Sequence, residues 1–317
     1  MNHRIAGTLV VLGLVAVGSF ALAQQAVTPP AAPPAPPPDV KIETVNVAPG
    51  IYMLMGRGGN IGLTVGPDGA AIIDDQFADM VPKIRAAVAL LAEKPVKFVI
   101  NTHLHGDHTG GNDAFGAAGA VIIAQENVRK RLGTPYVNPQ NNQPVAARAR
   151  EALPVITFED SATLHFNDDD LEFTHLPNAH TETDIIVRFR KANVVHMGDC
   201  FTGGFPFIDA NSGGTLDGLI LAHEKVLAMI DDDTKLIRGH GPLGNKAELQ
   251  AFHDMLVVVR DRVAKLVKAG KSQDQVVAAR PTKEFEEKYG GGSFNAEQWI
   301  GRAYVDQKAA LEKRRRR

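Results

Sequence analysis

The chain has 317 residues, 44% of them hydrophobic and 22% charged, with 30 Gly and 19 Pro. That balance supports a large buried core and excludes a collagen-like, coiled-coil or mostly disordered chain. A formal charge of −2 offers no general attraction to nucleic acid. Eleven His stand beside a single Cys, so neither an intrachain disulfide nor a cysteine-built zinc site can form within one chain. Any metal must be held by nitrogen and oxygen.

In chain order, Arg4 is followed by an apolar run that ends in Ala21-Leu22-Ala23, the layout of a secretory signal with an A-x-A cleavage site. Cleavage after Ala23 is expected, giving a periplasmic or secreted protein with no stable membrane insertion. The absence of Cys near the junction argues against a lipoprotein. Residues 24–39 are rich in proline, cannot donate enough backbone hydrogen bonds for helix or sheet, and read as an extended polyproline spacer. Folded structure is expected over 40–317.

From there short β-branched runs alternate with longer helical ones. Strands are predicted at 41–47, 51–55, 61–65 and 70–74, with the glycine-rich loop 56–60 between the second and third. Residues 81–93 carry apolar side chains at helical spacing, followed by a buried strand at 96–101, a helix start at 110–118, a strand at 120–124 and a helix at 127–132. The stretch 133–154, with four prolines and a polar run, reads as a long loop. Strands at 162–166, 171–176, 185–190 and 193–197, a helix at 216–230 and a strand at 235–238 repeat the plan. Amphipathic helices at 246–270 and 295–313 cover an outer face. Two sheet-forming halves, each finished by helices, predict an α/β fold, a four-layer αββα sandwich in one domain. The run Lys313 to Arg317 is expected to be a frayed, solvated basic terminus.

The chemistry concentrates in Asn101-Thr102-His103-Leu104-His105-Gly106-Asp107-His108-Thr109-Gly110-Gly111, directly after a buried strand. Four metal-competent side chains in six residues would be costly to bury without a cation. Gly106 lets the chain turn so that Asp107 and His108 face the same cavity as His103 and His105. The spacing differs from His-Glu-x-x-His, in which two ligands share one helix face.

His103-x-His105-x-Asp107-His108 resembles the signature of the metallo-β-lactamase superfamily, and further landmarks follow in order: Asp74 before it, then His180, Asp199 and His240. The resemblance spans nearly the whole predicted domain. It implies His103, His105 and His180 on one metal, Asp107, His108 and His240 on a second, Asp199 between them, and Asp74 supporting the ligands from behind. It also implies two zinc ions, with iron or manganese as alternatives, a bridging hydroxide that attacks the scissile bond, and Asp107 as a proton shuttle. His196 and His175 read as packed or hydrogen-bonded residues, His165, His223 and His253 have no partner motif, and Cys200 reads as a small buried side chain.

The family's substrates vary, since lactamases, thioester hydrolases, lactonases, ribonucleases and persulfide oxygenases share the cradle. Cysteine-ligand lactamases carry Cys where this chain has Asp199, and a substrate-gripping Lys where it has Thr202. Members with a redox di-iron centre carry Glu in place of His105. The expected activity is therefore hydrolysis of an amide, lactam, lactone or ester of a small molecule, β-lactams included. Thioester hydrolysis, a mononuclear iron sulfur-oxygenase and a non-catalytic metal-binding protein are the alternatives. The expected pocket segments are 56–60, 133–154 and 201–214, the last with Phe205, Phe207 and Asn211.

Overall fold

Alternation of apolar side chains builds both sheets. β1 (Glu43–Ala48), β2 (Ile51–Met55), β3 (Ile61–Gly66) and β4 (Gly69–Ile73) form an antiparallel meander. α1 (Val81–Ala89), with Pro in its first turn, then carries the chain to β5 (Val96–Ile100), parallel to β4. The short helices α2 (Gly106–Thr109) and α3 (Asn112–Ala117) lead to β6 (Val121–Gln125), parallel to β5. After α4 (Glu126–Leu132) and a small hairpin of β7 (Tyr136–Val137) and β8 (Pro144–Val145), β9 (Ile156–Phe158) joins β6 in parallel.

The second sheet is β10 (Ser161–Phe166), β11 (Asp169–His175), β12 (Ile185–Phe189), β13 (Val194–His196), β14 (Lys235–Ile237) and β15 (Gly244–Asn245), in that order. α5 (Leu216–Leu227) is the crossover between the parallel pair β13 and β14. α6 (Lys246–Lys268), α7 (Gln273–Ala278), α8 (Glu286–Tyr289) and α9 (Ala296–Arg315) complete the chain. Capping boxes open three of them, at Asn245 with Glu248, Ser272 with Gln275 and Asn295 with Gln298.

Because successive side chains of a strand point to opposite faces, each sheet contributes to two layers. Ala71, Ile73, Ile100 and Ile123 face Leu171, Phe173, Val187 and Ile237 between the sheets. Their neighbours Leu63, Ala70, Ile72, Val99 and Ile122 face the other way and bury Val81, Ile84 and Val88 of α1. On the second sheet Ile186, Val195 and Leu236 pack under α5, α6 and α9 through residues such as Leu219, Phe252, Leu256 and Trp299. The layers are thus helix, sheet, sheet, helix, as expected.

The structure is a computed structural model that describes residues 1, 39–137, 142–292 and 294–316, with Val40–Arg317 as one compact unit. Apart from Met1 and Asp39, the predicted signal and spacer lie outside the described residues. Among the described residues no helix is long and apolar enough to cross a membrane.

Most differences from the predicted elements are short. β9 and β15 are edge strands of two or three residues, below the length at which alternation can be read. The stretch 133–154 contains the β7–β8 hairpin and a 3-10 turn at Arg150–Ala152. Lys313, Arg314 and Arg315 are not a frayed end: they form the last turn of α9, where positive charge suits the helix dipole, and Arg314 lies 3.6 Å from Asp217.

Candidate metal centre

The parallel pairs β4–β5 and β13–β14 present their carboxyl ends to one edge of the sandwich, the place where open α/β sheets bind ligands. Asp74 follows β4, residues 101–108 follow β5, Asp199 follows β13 and His240 follows β14, while His180 lies between β11 and β12. Backbone bonds lock these loops across the two sheets. Ile185 donates to the Thr102 carbonyl at 2.8 Å, and Asn60 donates from its backbone to the Gly239 carbonyl at 2.7 Å. The Asn60 side chain adds bonds to the carbonyls of Arg238 and Gly241.

Two groups of donors result: His103, His105, His180 and Asp199 in one, and Asp107, His108 and His240 in the other, the donor atoms of each group within 4.8 Å of one another. In the first group Nδ1 of His105 is 3.1 Å from Nε2 of His103 and 2.9 Å from Nε2 of His180. The remaining nitrogens all face outward onto acceptors. His105 donates from Nε2 to Asp209 Oδ2 (3.0 Å), and His180 donates from Nδ1 to the Phe207 carbonyl (2.6 Å). His103 donates from Nδ1 to Thr102 Oγ1 (3.0 Å), whose own hydroxyl donates to Asp74. A neutral imidazole whose one N–H is turned outward aims a lone pair inward. Three converging lone pairs repel unless a cation lies among them, so this donor set fits a metal.

The second group has the same construction. His108 donates from Nδ1 to Asp74 Oδ2 at 2.7 Å, leaving Nε2 3.4 Å from Nε2 of His240 and 3.6 Å from Asp107 Oδ2. Asp107 Oδ2 is 3.2 Å from Nε2 of His240. Asp199 lies between the groups: Oδ2 is 3.7 Å from His180 Nε2, and Oδ1 is 3.2 Å from His108 and 3.4 Å from His240. That Oδ1 is buried without a hydrogen-bond partner, as a carboxylate oxygen meant for a cation would be. Nitrogen and carboxylate donors in these numbers suit zinc, iron or manganese.

Asp74 ties the two groups together from behind. Its carboxylate also accepts the Thr102 backbone N–H at 2.7 Å, and its backbone has φ of 66°, a region in which Asp is uncommon and which recurs at functional sites. Gly59 packs directly on the His108 ring, where any Cβ would overlap it.

Electrostatics sort the rings. Burial, reinforced by the neighbouring imidazoles, holds His103 well below the ordinary range, and burial lowers His180 to about 4. Both are therefore neutral at physiological pH with lone pairs free. Burial also opposes charge on His108 and His240, but Asp199 with Asp74 carries His108 well above its usual value, and Asp107 with Asp199 carries His240 up to about 9. A proton and a cation compete for the second group. Burial pushes Asp199 upward, yet His108 and His240 outweigh it and hold the acid well below the carboxylate range.

A cavity of about 760 Å³ opens over Asp107, Asp199 and His240. Phe205 and Phe207 line it, together with Phe77, Lys288 and Phe294. Asn211 does not line it; it is exposed on the turn that Asp209 caps. The segment 56–60 does not line it either, since Gly58, Gly59 and Asn60 are buried beneath the ligand loops, and no described residue of 133–154 lines it. Asp209, Lys288 and Phe294 are additions that sequence reasoning missed. His196 is buried and donates from Nε2 to the Asn60 carbonyl, and Cys200 is buried in the helix-side core.

Residues 54–240 match the family model described as the metallo-beta-lactamase superfamily. Comparison with curated proteins finds no match. Among solved structures, a metallo-beta-lactamase from Pontibacter korlensis superposes with a TM-score of 0.56 at 16% identity, covering 68% of this chain and 99% of that one. One from Hirschia baltica gives 0.54 at 19%, covering 68% and 98%. The stereoselective inverting sec-alkylsulfatase Pisa1 from Pseudomonas sp. gives 0.64 at 15%, covering 83% of this chain and 50% of that one.

Proposed function

Because the chain belongs to the metallo-beta-lactamase superfamily, whose members are generally metal-dependent hydrolases, we propose that it is a dinuclear zinc hydrolase of small molecules, cleaving an amide, lactam, lactone or ester bond. The observation that carries this reading is the donor arrangement: inward-facing ring nitrogens on His103, His105, His108 and His180, each ring fixed by an outward hydrogen bond, and a partnerless Asp199 oxygen between the groups. His103, His105 and His180 would hold one ion and Asp107, His108 and His240 the other, with Asp199 shared. When bound, two such ions supply Lewis acidity and a hydroxide nucleophile at neutral pH.

The chain's own residues do the rest. Asp107, partly open to the cavity, accepts a proton during attack and returns it to the leaving group. Phe77 and Phe207 present apolar surface that excludes water around the scissile bond. The signal-like N-terminus supports export, so the protein would act in the periplasm or outside the cell.

Metal analysis of purified protein, coupled to a screen of nitrocefin, a homoserine lactone, simple esters and a thioester, tests the reading. About two zinc per chain and chelator-sensitive cleavage of at least one compound are expected. A fully loaded protein that cleaves none of them would count decisively against it, and one iron per chain with oxygen consumption would favour a sulfur oxygenase.

A further inference from the structure

The cavity above the metal centre has an uneven wall. Its body is aromatic, with Phe77 on the side of the first sheet and Phe207 and Phe294 paired on the other at 5.6 Å between ring centroids. Among its described lining residues the one Lys or Arg is Lys288, from α8. Lys288 is exposed, rests over the Tyr289 ring at 5.2 Å, and has no acidic group within ion-pair distance among the described residues. Nearby, Arg302 stacks on the Phe207 and Phe294 rings at 4.9 and 4.6 Å, and it too lacks an acidic partner. The cavity therefore carries one cation without an acidic partner, Lys288, while Arg302 lies against two of the aromatic rings that wall it. Glu287 also lines the cavity, but adjacent helix residues do not face each other, and among the described residues no ion pair joins it to Lys288.

We propose that this wall is a subsite for an anionic group: the substrate has an apolar or aromatic body that lies against Phe77, Phe207 and Phe294, and a carboxylate or comparable anion that pairs with Lys288. The proposal rests on the hydrolase reading, because it places the scissile bond over Asp107 and His240, and it narrows the substrate class. A lysine in this position adds affinity through a partly solvated ion pair, a contribution of about 1 kcal/mol at most, or roughly fivefold, and one that salt weakens.

The test uses the full-length zinc-loaded protein and two probes of equal length, glutaranilic acid, which ends in a carboxylate, and valeranilide, which ends in a methyl group, with aniline release followed in parallel so that binding is read only where neither probe is cleaved. Calorimetric titration of the parent protein is expected to show tighter binding of the acid, with the preference shrinking as sodium chloride is raised. Lys288→Met should weaken the acid roughly threefold to fivefold and leave valeranilide unchanged, and Lys288→Arg should retain the preference. Equal affinity of parent and Lys288→Met for the acid, equal weakening of both probes, or no binding of the acid by the parent would each overturn the proposal. Parallel assay of p-nitrophenyl esters separates it from the hydrolase reading. Lys288-dependent binding without any turnover sinks the hydrolase reading alone, whereas turnover with no Lys288 dependence sinks the subsite alone.

Discussion

The rings of His103, His105, His108 and His180 are each held by an acceptor outside the candidate metal centre, and this makes the two donor groups separately addressable. Gly59 has no side chain because the His108 ring occupies the space a Cβ would need. Gly59→Ala must push that ring off its bond to Asp74 and disturb Asp107, His108 and His240 while leaving the three-histidine group intact. If the chain binds two zinc ions as proposed, zinc content should fall toward one per chain, with the lost ion bound about 10–100-fold more weakly, measured by competition with a chromophoric chelator. Asp209→Ala should do the reverse. It removes the acceptor that orients His105 (3.0 Å), so the ion in the three-histidine group should weaken by a similar factor. If both variants lost the same ion, the assignment of two groups would fail. These residues also show what a sequence can disclose. His103 to His108 are contiguous, and their density of donors is readable without a structure. Asp209 lies 104 residues from its partner His105, in a turn whose composition is ordinary, and only the packing of β12 against the β5 loop brings them together.

At the scale of elements, helices α5 and α6 enclose a polar group that neither needs for the chemistry. His223 is buried and donates from Nε2 to the Cys200 carbonyl, next to Asp199, while its Nδ1 has no partner. Burial lowers it to about 4, against about 6.5 in an unfolded chain. The unfolded chain therefore takes up a proton that the folded one refuses. The penalty is absent above pH 6.5, grows as pH falls, and reaches about 3 kcal/mol near pH 4. His223→Gln keeps a donor for the carbonyl but cannot titrate. Urea unfolding at pH 7 and pH 4.5 should show a smaller acid-induced loss for the variant than for the parent, and equal losses would refute this account. The elements themselves were largely legible. Short β-branched apolar runs marked β2 to β5 and β11 to β13, because most of these strands are largely buried, and the long amphipathic stretch of α6 announced its own length. The illegible parts were those without a period of their own. β9 and β15 exist because neighbouring strands offer unpaired edges, and α7 and α8 because the core beneath them needed covering.

Over the whole molecule, the C-terminal segment proves to have two duties, where its amphipathic pattern announced one. α6 and α9 cover the outer face of the second sheet, and the stretch around α8 turns back from that layer to supply Lys288 and Phe294 to the cavity. Trp299 couples the two. It is buried, stacks on Phe205 at 4.8 Å and 9°, and donates from Nε1 to the Pro206 carbonyl at 2.9 Å. Phe205 and Pro206 directly precede Phe207, whose carbonyl orients His180 and whose ring walls the cavity. Trp299→Ala would remove the largest buried side chain of the helical layer, a change that typically costs about 3–5 kcal/mol. The loss should not be confined to stability. With α9 loosened, the Phe207–Phe294 wall loses its backing, so substrate KM should rise severalfold. The ligands on the β5, β13 and β14 loops are held by other contacts, and His180 alone feels the loosened Phe207 carbonyl, so protein saturated with zinc should still hold two per chain if it binds two as proposed. A variant that lost zinc and activity in proportion would show instead that the helical layer serves only to hold the fold together. An unchanged KM at full zinc content would show that the cavity wall stands without α9.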